Sequence, residues 1–113
     1  MTHPHAAARD RLYAAIDARQ DELVDLVQQL VRCRSVLGNE TGAQRLVADY
    51  IRAIGVEPDV WEMDNSLLER PGSGNSGVSF EGRPNVAAVY AGSGGGKSLI
   101  LNGHIDVVSP EPL

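Results

Sequence analysis

The sequence is short of aromatic side chains, of lysine and of cysteine. One Trp, three Tyr and one Phe stand among 113 residues, so any core must be built from Leu, Val, Ile and Ala and will be thin for its length. Cys33 is the sole cysteine, which excludes an internal disulfide. Among helix-forming neighbours it reads as a small apolar residue rather than a nucleophile. No apolar run approaches the roughly 18–20 residues that a helical membrane span requires. Ten basic residues against fifteen acidic ones give a net charge of −5, and the basic ones are scattered. That argues against a nucleic-acid footprint, which needs a concentrated cationic face, and equally against membrane-surface binding. The opening Met1-Thr2-His3-Pro4-His5 has no basic stretch leading into an apolar one, so no secretory signal and a cytoplasmic setting are expected.

What remains is an ordinary globular composition, 42% hydrophobic, long enough for one domain that buries roughly two-thirds of its unfolded surface. Leu23, Leu26, Val27, Leu30 and Val31 recur at helical spacing, with Leu12 and Ile16 extending the stripe backwards. This predicts one long helix from Ala6 to about Val31. Asp17, Arg19, Asp21, Glu22 and Asp25 fall mostly off the stripe and form a solvated face. Thr41 with Gln44 three residues later has capping-box spacing. A second helix should follow, with Leu46, Val47, Tyr50, Ile51 and Ile54 as its apolar face and Gly55 as the left-handed residue that ends it.

Val56 to Met63, interrupted by Pro58, reads as a strand near a sheet edge. Asp64 to Arg83 contains Pro71-Gly72-Ser73-Gly74-Asn75-Ser76-Gly77 and reads as a long loop. Asn85–Tyr90 and Ser98–Asn102 are apolar strands separated by Gly92-Ser93-Gly94-Gly95-Gly96-Lys97. A parallel crossover needs about a dozen residues or more, so this gap predicts an antiparallel hairpin. Two helices and three strands give an α/β layer architecture, helices over sheet.

Two segments could carry chemistry. Ala91–Ser98 fits a relaxed phosphate-binding loop with Gly96-Lys97-Ser98 intact, but that motif must open a helix. The Leu99-Ile100-Leu101 that follows reads as a strand, which leaves nucleotide binding an outside alternative. The second segment is Gly103-His104-Ile105-Asp106-Val107-Val108. Residues two apart in extended chain share a face, so His104 and Asp106 can lie side by side. A carboxylate there can hydrogen-bond one imidazole nitrogen while the other binds a metal. Taken alone, H-x-D is more often a His–Asp contact at a strand end without metal.

The ordered set of segments is more specific. Leu99-Ile100-Leu101-Asn102-Gly103-His104-Ile105-Asp106-Val107-Val108 resembles the first metal motif of the M20 metallopeptidase family, the group of acetylornithine deacetylase, succinyl-diaminopimelate desuccinylase and carboxypeptidase G2. Leu30-Val31 with Arg34-Ser35-Val36, Ile54-Gly55-Val56, Gly82-Arg83-Pro84-Asn85-Val86 and the Gly-rich turn before Leu99 resemble the family's opening segment in the same order. The likeness is greatest to its ArgE/DapE-type deacylases and runs from about residue 10. Cys33-Arg34 stands where the family often has Ile-Pro, and Ser109 separates Val108 from Pro110.

The resemblance implies an α/β fold, the N-terminal part of a zinc-peptidase-like catalytic domain with two helices packed on a mixed sheet. It implies His104 as a metal ligand and Asp106 as the acidic catalytic residue that orients it. Zinc is the implied cofactor, two per site, with cobalt or manganese as substitutes. The implied substrate is a small N-acyl amino acid or peptide, and the intact family member is expected to be a homodimer. The bridging Asp, the Glu base, the remaining ligands and a second domain are expected beyond Leu113, which would make the 113-residue chain an inactive N-terminal fragment. The competing reading is a non-enzymatic binding module that uses an unfinished sheet as its surface.

Overall fold

The structure, a computed structural model, describes residues 5–72 and 77–111. The chain divides into two compact units, the first ending at Arg32 and the second starting at Cys33. The first unit holds α1 (Ala6–Asp17) and α2 (Gln20–Arg32). The expected single helix is therefore broken at Ala18-Arg19. The Arg19 N–H bonds to the Ile16 carbonyl, a three-residue closure that interrupts the four-residue ladder. No Pro or Gly marks the break, and the apolar stripe keeps its phase across it, so periodicity alone does not reveal it. Asp21 and Glu22 in the first turn of α2 and Arg32 in its last complement the helix dipole.

The second unit contains α3 (Thr41–Ala53), β1 (Asp59–Glu62), a 3-10 turn (Asn65–Glu69) and β2 (Pro84–Ala87). α3 lies against β2. Its buried positions are Ala43 and Ala48, side chains small enough for close approach. The end at Gly55 is as expected. Gly55 has φ +82, its N–H bonds to the Arg52 carbonyl, and the Val56 N–H bonds back to Ile51, the paired closure of a Schellman motif.

The capping box is not formed. Glu40 occupies the N-cap position and makes no side-chain cap bond. The Thr41 hydroxyl donates instead to the Gly82 carbonyl, so a tie across 41 residues of chain takes the group that the local motif would have used.

β1 and β2 pair antiparallel, Val60 opposite Val86 and Glu62 opposite Pro84. The expected hairpin between Asn85–Tyr90 and Ser98–Asn102 is thus replaced. β2 takes β1 as its partner, and Ser98–Asn102 joins no ladder. The register is set before the strand begins, where the Gly82 N–H donates to the Glu62 carboxylate at 3.0 Å. A turn does exist between the two segments, with Gly94 and Gly95 at positive φ, but it closes no hairpin. The mixed sheet also reduces, among the described residues, to this antiparallel pair and one isolated parallel bridge, Val36 to Val107. Residues 73–76 of the expected long loop, and His3, lie outside the described residues.

Among the described residues, one charged pair is withdrawn from solvent. Arg83, just before β2, forks onto Glu40: its Nε donates to Oε2 at 2.8 Å and an Nη to Oε1 at 2.7 Å. The side chains keep 17% and 7% of their exposure. Oε1 also accepts the Gly38 N–H at 3.0 Å, and the other Arg83 Nη donates to the Ser79 carbonyl. Every buried side-chain nitrogen and oxygen among the described residues has a partner. Breaking such a fork strands a desolvated charge, at a cost of about 2–3 kcal/mol.

Burial opposes the charge on Glu40, but the Arg83 fork and the Gly38 N–H outweigh it and hold the carboxyl below its ordinary value of 4.5. A depressed carboxyl stabilises the fold above its unfolded value, and that stabilisation is lost as pH falls through the folded one. The melting temperature of the wild-type chain should therefore exceed that of Glu40→Gln at pH 7, and the gap should close as pH is lowered below about 4.5. Circular-dichroism melts across pH 7 to about 3 check this; a gap that stays constant would disconnect the pair from acid stability.

Candidate metal centre

Val107 is held by one backbone tie: its N–H donates to the Ser35 carbonyl at 2.9 Å, within the Val36–Val107 bridge. Ser35 is buried. The chain on the other side of that bridge is itself braced. The Asn39 amide group donates to the Arg34 carbonyl at 2.6 Å, and the Asn39 N–H to Val36 at 2.8 Å. An exposed ion pair, Arg34 to Glu111 at 3.0 Å, closes the same stretch further along.

The two residues singled out in the sequence come together on this segment. His104 Nδ1 lies 3.0 Å from the Asp106 carbonyl oxygen and 3.1 Å from Asp106 Oδ1. A carbonyl and an ionised carboxylate only accept hydrogen bonds, so Nδ1 must carry the proton. Neutral His104 is then the tautomer whose Nε2 has a free lone pair. The imidazole is 83% exposed and the Asp106 side chain 47%. An open, largely apolar groove is lined by Val36, Leu37, His104, Asp106, Val107 and Ser109.

The donor chemistry fits one place in a metal shell. An imidazole whose Nδ1–H is bound to a carboxylate is the usual form of a histidine ligand, its tautomer fixed and its basicity raised. The described residues contain no group of three or more His, Cys, Asp or Glu that could hold a metal. Catalytic zinc ordinarily takes about three protein ligands, so His104 fits as a contributor and not as a complete site.

Arg83 is the residue that sequence reasoning left out. Besides the Glu40 fork, its guanidinium feels the attraction of the Asp106 carboxylate. Gly82-Arg83-Pro84 stood out only as part of a resemblance, and Glu40 only as a neighbour of a helix start; nothing in their spacing links residues 40, 83 and 106. The Gly-rich segment adds no phosphate cradle, since no helix follows Lys97. No helix among the described residues is long and apolar enough to cross a membrane.

With this geometry in place, similarity to known proteins becomes informative. The chain is 32% identical over 105 residues to N-formyl-4-amino-5-aminomethyl-2-methylpyrimidine deformylase of Halalkalibacterium halodurans, covering 88% of this chain and 21% of the relative. It is 36% identical over 89 residues to succinyl-diaminopimelate desuccinylase of Methylobacterium nodulans, covering 78% and 19%. It is also 36% identical over 85 residues to that of Paracoccus denitrificans, covering 75% and 18%. The chain spans about a fifth of the length of the curated relatives it matches. These relatives are hydrolases. No family model matches the chain, and no solved structure does.

The tautomer is directly measurable. In the 113-residue chain, long-range proton–nitrogen NMR of neutral His104 should show the proton on Nδ1. A neutral ring protonated at Nε2 would contradict the Asp106 hydrogen bonds and remove the ligand reading with them.

Proposed function

We propose that the chain is the N-terminal portion of the catalytic domain of an M20-type metal-dependent amide hydrolase that removes acyl groups from N-acyl amino acids or short peptides. The observation that supports it most is the His104–Asp106 pair. An imidazole with Nδ1–H committed to a carboxylate and Nε2 open lies in a chain similar to desuccinylases and a deformylase. In this reading His104 contributes one ligand through Nε2. Asp106 keeps the proton on Nδ1 and so aims the ring. The remaining ligands, the general base and a second domain belong to segments outside these 113 residues, in keeping with the share of the relatives that the chain spans.

Zinc is the metal proposed, two ions per site, with cobalt or manganese able to substitute. When bound, it supplies Lewis-acid polarisation of the scissile carbonyl and a lowered pKa for water. The chain's own residues supply orientation. Val36, Leu37 and Val107 line the open groove beside His104, and Asp106 fixes the ring against rotation. A cytoplasmic setting and a homodimeric whole enzyme complete the proposal.

Ligand counting gives the test. By isothermal titration the 113-residue chain should bind zinc weakly, and His104→Ala should remove that binding. Asp106→Asn should weaken it about 10- to 100-fold, as expected when the partner of a ligating imidazole is replaced. The product of a reading frame continuing past Leu113 should hydrolyse N-acyl amino acids, and its His104→Ala variant should not. Zinc binding and turnover that survive His104→Ala would overturn the reading.

A further inference from the structure

We propose that the Glu40–Arg83 ion pair is a positioning device for the His104–Asp106 pair, setting the place of residues 104–107 rather than serving only to hold the fold together. The proposal rests on the metal reading above for its functional meaning, but its physical content is independent of it.

Three observations carry it. First, the described backbone tie that docks the His104–Asp106 stretch is the Val107 N–H to Ser35 carbonyl bond, 2.9 Å long. The position of Val107 therefore follows that of Ser35-Val36. Second, Ser35-Val36 leads into a tight turn, Gly38 at φ +90, whose far end is fastened by Glu40: Oε1 takes the Gly38 N–H and an Arg83 nitrogen together. A fork has one good geometry, so turn and arginine are placed as a unit. Third, the same guanidinium attracts Asp106. That attraction is secondary to the fork, and Glu40 acts on residues 104–107 through the Gly38 turn and Ser35. Glu40 is buried, so water is poorly placed to substitute for either partner.

Arg83→Met removes the fork, Arg83→Lys keeps the charge without the planar geometry, and Glu40→Gln keeps one acceptor for the Gly38 N–H. All three are made in the 113-residue chain and followed by residue-resolved amide exchange, with the α3 amides as internal reference and the His104 ring nitrogens as second readout. A positioning role predicts that Val107 exchanges at least about tenfold faster relative to α3 in Arg83→Met. His104 should lose its single Nδ1–H tautomer in the same variant, and Arg83→Lys and Glu40→Gln should fall between it and wild type.

Unchanged Val107 protection and an unchanged tautomer with α3 intact would overturn the proposal. So would loss of protection at α3 and Val107 in equal measure, which assigns the pair to general stability. The metal reading fails separately. If zinc chloride leaves the wild-type His104 nitrogens unmoved while Arg83→Met still frees Val107, the positioning role stands and the ligand assignment falls.

Discussion

The second unit depends on one carboxylate meeting one guanidinium. Glu40 lies at the start of α3 and Arg83 at the start of β2, 43 residues apart, and both enter a region with little apolar cover. With only Ala43 and Ala48 as buried apolar side chains in α3, hydrophobic burial alone gives the helix few reasons to prefer one rotation against the strand. A planar fork with two short hydrogen bonds supplies the missing specificity, because it is satisfied in one arrangement and costly in others. The Thr41 to Gly82 and Gly82 to Glu62 bonds then follow from residues adjacent to the pair.

That dependence explains what could be read from the sequence and what could not. Helical spacing placed Leu46, Val47, Tyr50 and Ile51 on half-buried positions of α3. It missed Ala43 and Ala48, which are the buried ones, and it included Ile54, which is 52% exposed. Gly55 marked the helix end, a local consequence of its left-handed φ. The His104–Asp106 contact was legible for the same reason: two residues apart, they meet through short-range geometry. Strand pairing was not. Proximity in sequence favoured joining Asn85–Tyr90 to Ser98–Asn102, whereas β2 found β1 through long-range bonds that no local pattern announces. The capping box failed likewise, its threonine taken by a carbonyl 41 residues away. The break at Ala18-Arg19 left no trace because the stripe stays in phase on both sides.

Much apolar surface stays open. Val89, Tyr90, Leu99, Ile100, Leu101 and Val108 are all more than four-fifths exposed, a larger apolar display than a self-sufficient small domain ordinarily carries. His104 is nearly as open. An imidazole of fixed tautomer thus stands beside uncovered aliphatic chain.

α3 is fastened at both ends, by Thr41 on Gly82 and by the Schellman closure at Gly55-Val56. Its length is therefore a counted quantity. One residue inserted between the two fastenings would turn everything beyond it by about 100°, carrying Ala48 out of its buried position and re-aiming the exit that leads to β1. The connection between β1 and β2 is tied near its ends, where Asn65 Oδ1 accepts the Phe80 N–H at 2.7 Å. The 13 residues of α3 thus behave as a ruler for this unit.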